Sequence, residues 1–178
     1  MSRIPLRLNV NGTPYDIEVE HRKTLVDALR EDCGLTGTHS GCEHGVCGAC
    51  TIVFDGRPIR SCLMFAHQAA DRPIRTVEGL ADGERLHVLQ TAFMENHALQ
   101  CGFCTPGFLM LVVGAFESDP EIADDEIVDL LSSNLCRCTG YQNIVKAVRS
   151  VAAELRRNAS AAGATGLTEV AAGGHSNA

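Results

Sequence analysis

Leu6, Leu8 and Val10 alternate with polar neighbours, Asn11-Gly12 follows, and Tyr15, Ile17 and Val19 alternate again. An Asn-Gly step suits the positive φ angles of a two-residue hairpin turn, so two antiparallel strands are predicted. Thr24 then precedes "LVDALRED", with Asp27 three residues on as a loose capping box, which predicts a short helix from about Leu25 to Glu31. "TIVF" and "RPIRSC" flank Asp55-Gly56 as a second hairpin, and "IRTVEGL" supplies one more extended piece near Ile74 to Val77. The pattern describes a small mixed sheet crossed by one helix.

The period lengthens after Gly79. Leu86, Leu89, Phe93 and Met94 recur at helical spacing, predicting a helix from Glu84 to about His97. A second helix opens at "TPGF", with Thr105 as N-cap and Pro106 at the first helical position, and runs to about Glu117. Being apolar all round, it belongs in a core. Asp124 or Asp125 begins a third helix, through Leu131. In the fourth, Tyr141, Ile144, Val145, Val148, Val151, Ala152 and Leu155 form one stripe, with Lys146, Arg149 and Arg156 outside it. Four helices suggest a compact bundle. From Asn158 to Ala178 the chain is rich in Ala, Gly and Ser without a stripe, and a disordered tail is expected there. The expected fold class is α+β, with a sheet domain over 1–80, a helical domain over 81–157 and the tail over 158–178.

Composition narrows the chemistry. The 178 residues leave room for two small domains, and a net charge of −7 gives no reason to expect a nucleic acid partner. The longest apolar run, "FLMLVVGAF" over 108–116, falls far short of the roughly 18 residues of a membrane span. "MSRIPLRLNV" has no apolar targeting region and no twin arginine, so a cytoplasmic protein is expected. In a reducing cytosol, nine cysteines point to metal binding or catalysis rather than disulfides, and an odd number could not pair completely.

Cys42, Cys47 and Cys50 form C-x4-C-x2-C, the plant-type [2Fe-2S] spacing, and Cys62 completes four thiolates. An oxidised cluster on four thiolates carries a charge of about −2, so its loop must turn N–H groups inward, adopt unusual φ and keep Cβ atoms out of the way. Gly41, Gly45 and Gly48 suit that task. A Rieske centre would need two histidines; Cys42-x-His44 imitates half of one, but Phe65 stands where the last histidine belongs and Cys47 and Cys50 would be idle. Structural zinc prefers paired C-x2-C knuckles, of which this half holds only Cys47 to Cys50, and so ranks second. His39, His44 and His67 are read as solvated or hydrogen-bonded loop histidines, and Cys33 as a small buried hydrophobe.

The second group is Cys101 and Cys104 in "QCGFCTPG" with Cys136 and Cys138 in "LCRCTGY". Each pair precedes a predicted helix. The two helix starts can therefore meet at one end of the bundle, four thiolates together, with the positive ends of two helix dipoles facing them. Taken alone, this spacing serves zinc as well as iron. Beside a ferredoxin-like loop, a second iron-sulfur centre is the better reading.

In order along residues 4–157, "GCEHGVCGACTIVFDG", "SCLM", "TVEGL", "QCGFCTPGF" and "NLCRCTGYQNIVKAV" resemble the small iron-sulfur subunit of the xanthine oxidase family of molybdenum hydroxylases. The resemblance implies a β-grasp plant-type ferredoxin domain followed by a four-helix bundle domain, each with one [2Fe-2S] cluster. It implies molybdopterin, in its cytosine dinucleotide form, in a large subunit, FAD in a medium subunit, and a dimer of heterotrimers. Electrons would pass from molybdenum through the helical-domain cluster and the ferredoxin-domain cluster to flavin. By motif position, Gln100 and Cys138 would touch the pterin. The short gap between Cys50 and Cys62 agrees with these subunits and differs from free plant ferredoxins, which argues against the alternative of a stand-alone two-cluster carrier. No catalytic residue is expected in this chain; substrate chemistry would belong to the large subunit, whose relatives act on purines, aldehydes, N-heteroaromatics, carbon monoxide or acyl-CoA thioesters.

Overall fold

The structure is a computed structural model that describes residues 2–168, with side chains as far as Asn158. Strands β1 (Arg3–Val10) and β2 (Thr13–Glu20) pair antiparallel in full register, from Arg3 opposite Glu20 to Val10 opposite Thr13. Asn11 and Gly12 form the turn between them at φ 54° and 78°. Helix α1 is shorter than its pattern suggests. Its α-helical part is Leu25–Asp27, capped by Thr24 and its hydrogen-bonded partner Asp27, and the chain then widens into a π-turn over Ala28–Asp32. The wider turn places Ala28 and Leu29 side by side in the sheet's core.

Strands β3 (Thr51–Phe54) and β4 (Arg57–Arg60) form the second hairpin, and β5 (Pro73–Arg75) closes the sheet in the order β2-β1-β5-β3-β4. β5 runs parallel to β1 and antiparallel to β3, so the sheet is mixed. Leu8, Leu25, Leu29 and Ile52 are fully enclosed between the sheet and α1.

The helical half has its own core around Phe93, Phe108, Ile127 and Ile144. Helix α2 covers Val88–Glu95 and begins later than Glu84, because Asp82 and Arg85 close a tight turn and His87 supplies the N-cap. Leu86, which looked periodic, is 42% exposed. Helix α3 (Thr105–Ser118) is capped by Cys104, one residue ahead of the expected Thr105. It is buried from Gly107 to Gly114, as an all-round apolar helix must be. Helix α4 (Asp124–Ser132) and helix α5 (Gln142–Thr168) complete the set. α5 continues through 158–168, where a disordered tail was expected; alanine-rich sequence extends a helix that is already nucleated at little cost. The remainder of that tail, 169–178, lies outside the described residues. The described chain thus has five α-helices, one under the sheet and four beyond it. Among the described residues no helix is long and apolar enough to cross a membrane.

α3 joins the halves. It packs on β3 and β4 so tightly that a Cβ at Gly114 would come within 2.8 Å of Pro58, and one at Gly107 within 2.4 Å of the Gly48 carbonyl. The start of α3 is thereby held against the glycine-rich loop.

Candidate iron-sulfur sites

The loop from Gly41 to Cys50 contains no helix or strand, and its shape comes from its glycines. Gly45 and Gly48 sit at φ 82° and 73°, the left-handed region that side chains avoid. A Cβ at Gly48 would stand 2.0 Å from the Asn134 side-chain oxygen. Gly41 differs from the expectation: its φ is ordinary, and what it provides is room, since a Cβ there would lie 3.2 Å from the Cys47 sulfur and 3.3 Å from the Phe103 ring.

This geometry turns the backbone toward sulfur. The Cys47 N–H donates to Cys42 Sγ at 3.3 Å, and the N–H groups of His44 and Val46 also face it. Led by the Cys47 contact, they lower the Cys42 thiol to about 6, so it is readily a thiolate. Cys62 behaves oppositely. Burial, then its contact with Cys50, pushes it up to about 12. Cys50 and Cys62 lie buried together with Val26. His44 bonds back to the Cys42 carbonyl through Nδ1, and His67 stacks on Phe65 at 5.7 Å; neither takes the place of a Rieske ligand.

The second group is assembled from two distant segments. Cys104 caps α3, Cys101 precedes it, and Cys136 and Cys138 stand in the turns before α5. Cys101 Sγ and Cys138 Sγ are 3.6 Å apart at the surface. Cys104 and Cys136 face each other beneath them, and burial, then Cys136, drives the Cys104 thiol up to about 12. Cys136 is lowered despite its burial, because Thr139 donates to its sulfur through hydroxyl (3.1 Å) and backbone. Its own N–H donates to the Tyr141 hydroxyl at 3.0 Å. Thr139 was not singled out from sequence, and Tyr141 was read only as the first residue of the last helix's stripe; a Thr-Gly turn ahead of a helix was the one signal for Thr139. Gln100 is exposed beside Cys101.

All nine cysteines are free thiols, and Cys33 is half-buried against the sheet core with its thiol raised to about 11 by burial. Among the described residues no three His, Cys, Asp or Glu side chains converge on one ion-sized point. Sulfur is gathered two by two instead: 42 with 47, 50 with 62, 101 with 138, 104 with 136. A tetrahedral zinc would draw all four sulfurs equally close. Paired thiolates ringed by N–H donors fit a diiron cluster, two sulfurs to each iron.

The two sites touch. The Leu135 N–H donates to the Cys47 carbonyl at 2.9 Å, so one hydrogen bond links a cysteine of the first group to the neighbour of Cys136. Phe103, between Cys101 and Cys104, stacks on His39 at 4.8 Å, and His39 Nδ1–H donates to the Phe103 carbonyl at 2.7 Å.

Comparison with known proteins agrees with both halves. Residues 8–81 match the model of the 2Fe-2S iron-sulfur cluster binding domain, and residues 76–149 that of the [2Fe-2S] binding domain. The chain is 57% identical over 154 residues to the caffeine dehydrogenase subunit gamma of Pseudomonas sp. (strain CBB1), covering 85% of this chain and 92% of that one. It is 55% identical over 146 residues to the nicotine 6-hydroxylase small subunit of Paenarthrobacter nicotinovorans, covering 82% and 88%. Its fold superposes on a chain of quinoline 2-oxidoreductase from Pseudomonas putida 86 with a TM-score of 0.82 at 49% identity, over 88% of this chain and 98% of that one. The paired cysteines, the two matched domains and these relatives together make the chain a member of the small iron-sulfur subunits of the molybdenum hydroxylases, the two-[2Fe-2S] electron-transfer components of oxidoreductase complexes.

Proposed function

We propose that this chain relays electrons from a molybdopterin centre in a large subunit, through a cluster on Cys101, Cys104, Cys136 and Cys138, to a cluster on Cys42, Cys47, Cys50 and Cys62, and on to FAD in a medium subunit. The observation that carries the reading is the paired arrangement of eight sulfurs in two groups joined by the Leu135-to-Cys47 hydrogen bond, with Cys101 and Cys138 at the surface. Bound clusters supply one-electron redox chemistry. The chain's own residues hold them apart, exclude water from Cys50 and Cys62, and aim N–H and O–H groups at their sulfurs.

Gln100 and Cys138, exposed together with Cys101, are assigned to the pterin side. In this reading the sheet half is a β-grasp ferredoxin domain ending near 80, and α2 to α5 form a four-helix bundle over 81–157. The assembly is a cytoplasmic dimer of heterotrimers whose molybdopterin is the cytosine dinucleotide. The names of the relatives support an N-heteroaromatic substrate: caffeine, nicotine and quinoline all contain ring nitrogen.

Rapid reduction of the purified complex by substrate tests the relay. Both clusters should reduce within the complex's turnover, and Gln100→Ala should slow the first transfer without loss of iron. Purification without large and medium subunits would favour a free carrier, and clusters that stay oxidised under substrate would contradict the relay.

A further inference from the structure

Among the described residues, three of the five buried polar side chains, Thr51, Ser61 and Asn134, lie in one place, the seam between the two cysteine groups. The Gly48 carbonyl there accepts from the Thr51 N–H (3.1 Å), the Thr51 hydroxyl (2.6 Å) and the Asn134 side-chain amide (3.2 Å). Arg60 stands opposite Thr51 in the β3–β4 ladder and spans the seam. One of its nitrogens donates to the Thr51 hydroxyl at 2.7 Å and another to the Ser133 carbonyl at 2.8 Å. Ser61 ties the adjoining strand to the Cys50 carbonyl at 2.7 Å.

These bonds fix the short run that ends α4. Ser133 and Asn134 return their N–H groups to Leu130 and Leu131 at 3.2 Å each, closing the helix. With the Ser133 carbonyl held by Arg60 and the Asn134 amide held by Gly48, the next N–H, that of Leu135, is delivered to the Cys47 carbonyl. Asn134 is 1% exposed, and its side-chain oxygen is buried without a hydrogen-bond partner. A buried acceptor without a donor is costly, and an apolar residue would fill the space without that cost. The amide's donor end is what its site uses.

We infer that Asn134 and Arg60 are positioning residues that clamp the Ser133–Cys136 run to the Gly48–Thr51 run and so set the electronic coupling between the two clusters. The inference rests on the relay reading above. Neither side chain is itself placed among the cluster ligands, so the clamp is separable from cluster assembly.

The test uses the purified complex carrying Arg60→Ala, Arg60→Lys, Asn134→Ala and the Arg60→Ala/Asn134→Ala double change. Iron content, the EPR signal and midpoint potential of each cluster, the spin–spin splitting when both are reduced, and the inter-cluster rate after flash reduction are measured. Each alanine variant should keep about four irons and both midpoint potentials, show reduced splitting, and slow inter-cluster transfer several-fold, since tunnelling falls off exponentially as the two runs part. Arg60→Lys, which reaches only one of the two partners, should be intermediate, and the double variant should be less than additive. Unchanged splitting and rate in Arg60→Ala would overturn the inference, even if Asn134→Ala had lost iron. A potential shift in Arg60→Ala that Arg60→Lys restores, with splitting unchanged, would also overturn it, making Arg60 a charge and not a clamp. Should the unaltered complex lack two clusters, the relay reading itself fails, a result distinct from either of these.

Discussion

The two cysteine groups each bring four thiols together, by different means. In the first, three of four cysteines fall within the ten residues from Gly41 to Cys50, and the backbone of that loop alone points N–H groups at sulfur. In the second, Cys104 and Cys136 are 32 residues apart and meet only because α3 and α5 share a core. Burial differs as well: Cys50 and Cys62 are enclosed, whereas Cys101 and Cys138 lie exposed. A locally built site should survive damage to distant packing, and a site assembled by helices should not. Cys42 and Cys47 are half-buried, so the first site also has an open side, while the exposed Cys101 and Cys138 suit an entry point.

Damage to the helical core separates the two most strongly. Phe108 is fully buried and meets Tyr141 edge-on at 6.3 Å. Phe108→Ala should cost ~3–5 kcal/mol, seen as a fall in the melting temperature, and should halve the iron while sparing the ferredoxin-type EPR signal. Equal loss of both signals would remove the distinction between local and assembled sites. The converse change is Gly48→Ala. Left-handed backbone at a non-glycine costs ~1–3 kcal/mol, and the contact with Asn134 adds to it, so iron analysis and EPR should show the first cluster lost or poorly loaded and the second retained.

Smaller effects sharpen the picture at the seam. His39→Ala removes a stacked pair worth ~0.5–1.5 kcal/mol, and should leave both clusters in place while broadening the signal of the second, whose loop contains Phe103. The smallest effect is a pH dependence at α2. His87 Nδ1 accepts from the Leu89 N–H, and burial first, then Arg75, lowers its pKa. The unfolded chain therefore binds a proton that the folded one resists, so this contribution is full above about pH 6.5 and is lost as pH falls below it. Melting curves between neutral and mildly acid pH should show a small drop that His87→Asn abolishes, since asparagine caps without titrating.

What the chain revealed before its structure was known follows the range of the forces involved. Both hairpins were readable because Asn11-Gly12 and Asp55-Gly56 are local turn chemistry, and the first cysteine loop stood out because its cysteines and glycines are neighbours. The start of α2 was misread because Leu86 fits the period yet lies just past the turn closed by the Asp82–Arg85 pairing, before the helix begins. The π-turn after Asp27 left no mark in the pattern. Gly41 was expected to supply both an unusual φ and room for its neighbours; it supplies room alone, against Phe103, a residue of the other half. Asn134, Arg60 and Thr139 went unremarked for a shared reason: their partners are set by tertiary contacts and tight turns, which periodicity does not record. The helical stretch beyond Asn158 has no apolar stripe, and its alanines gave only propensity to read.

The most direct test of the central claim is EPR spin quantitation on the fully reduced complex, with iron and acid-labile sulfide determined on the same sample. Two [2Fe-2S] centres predict about four irons and four sulfides for each copy of this chain and two distinct signals of about one spin each, one of which disappears in Cys104→Ser and the other in Cys50→Ser. Zinc in place of iron in either group, or a single signal that both substitutions abolish, would contradict it.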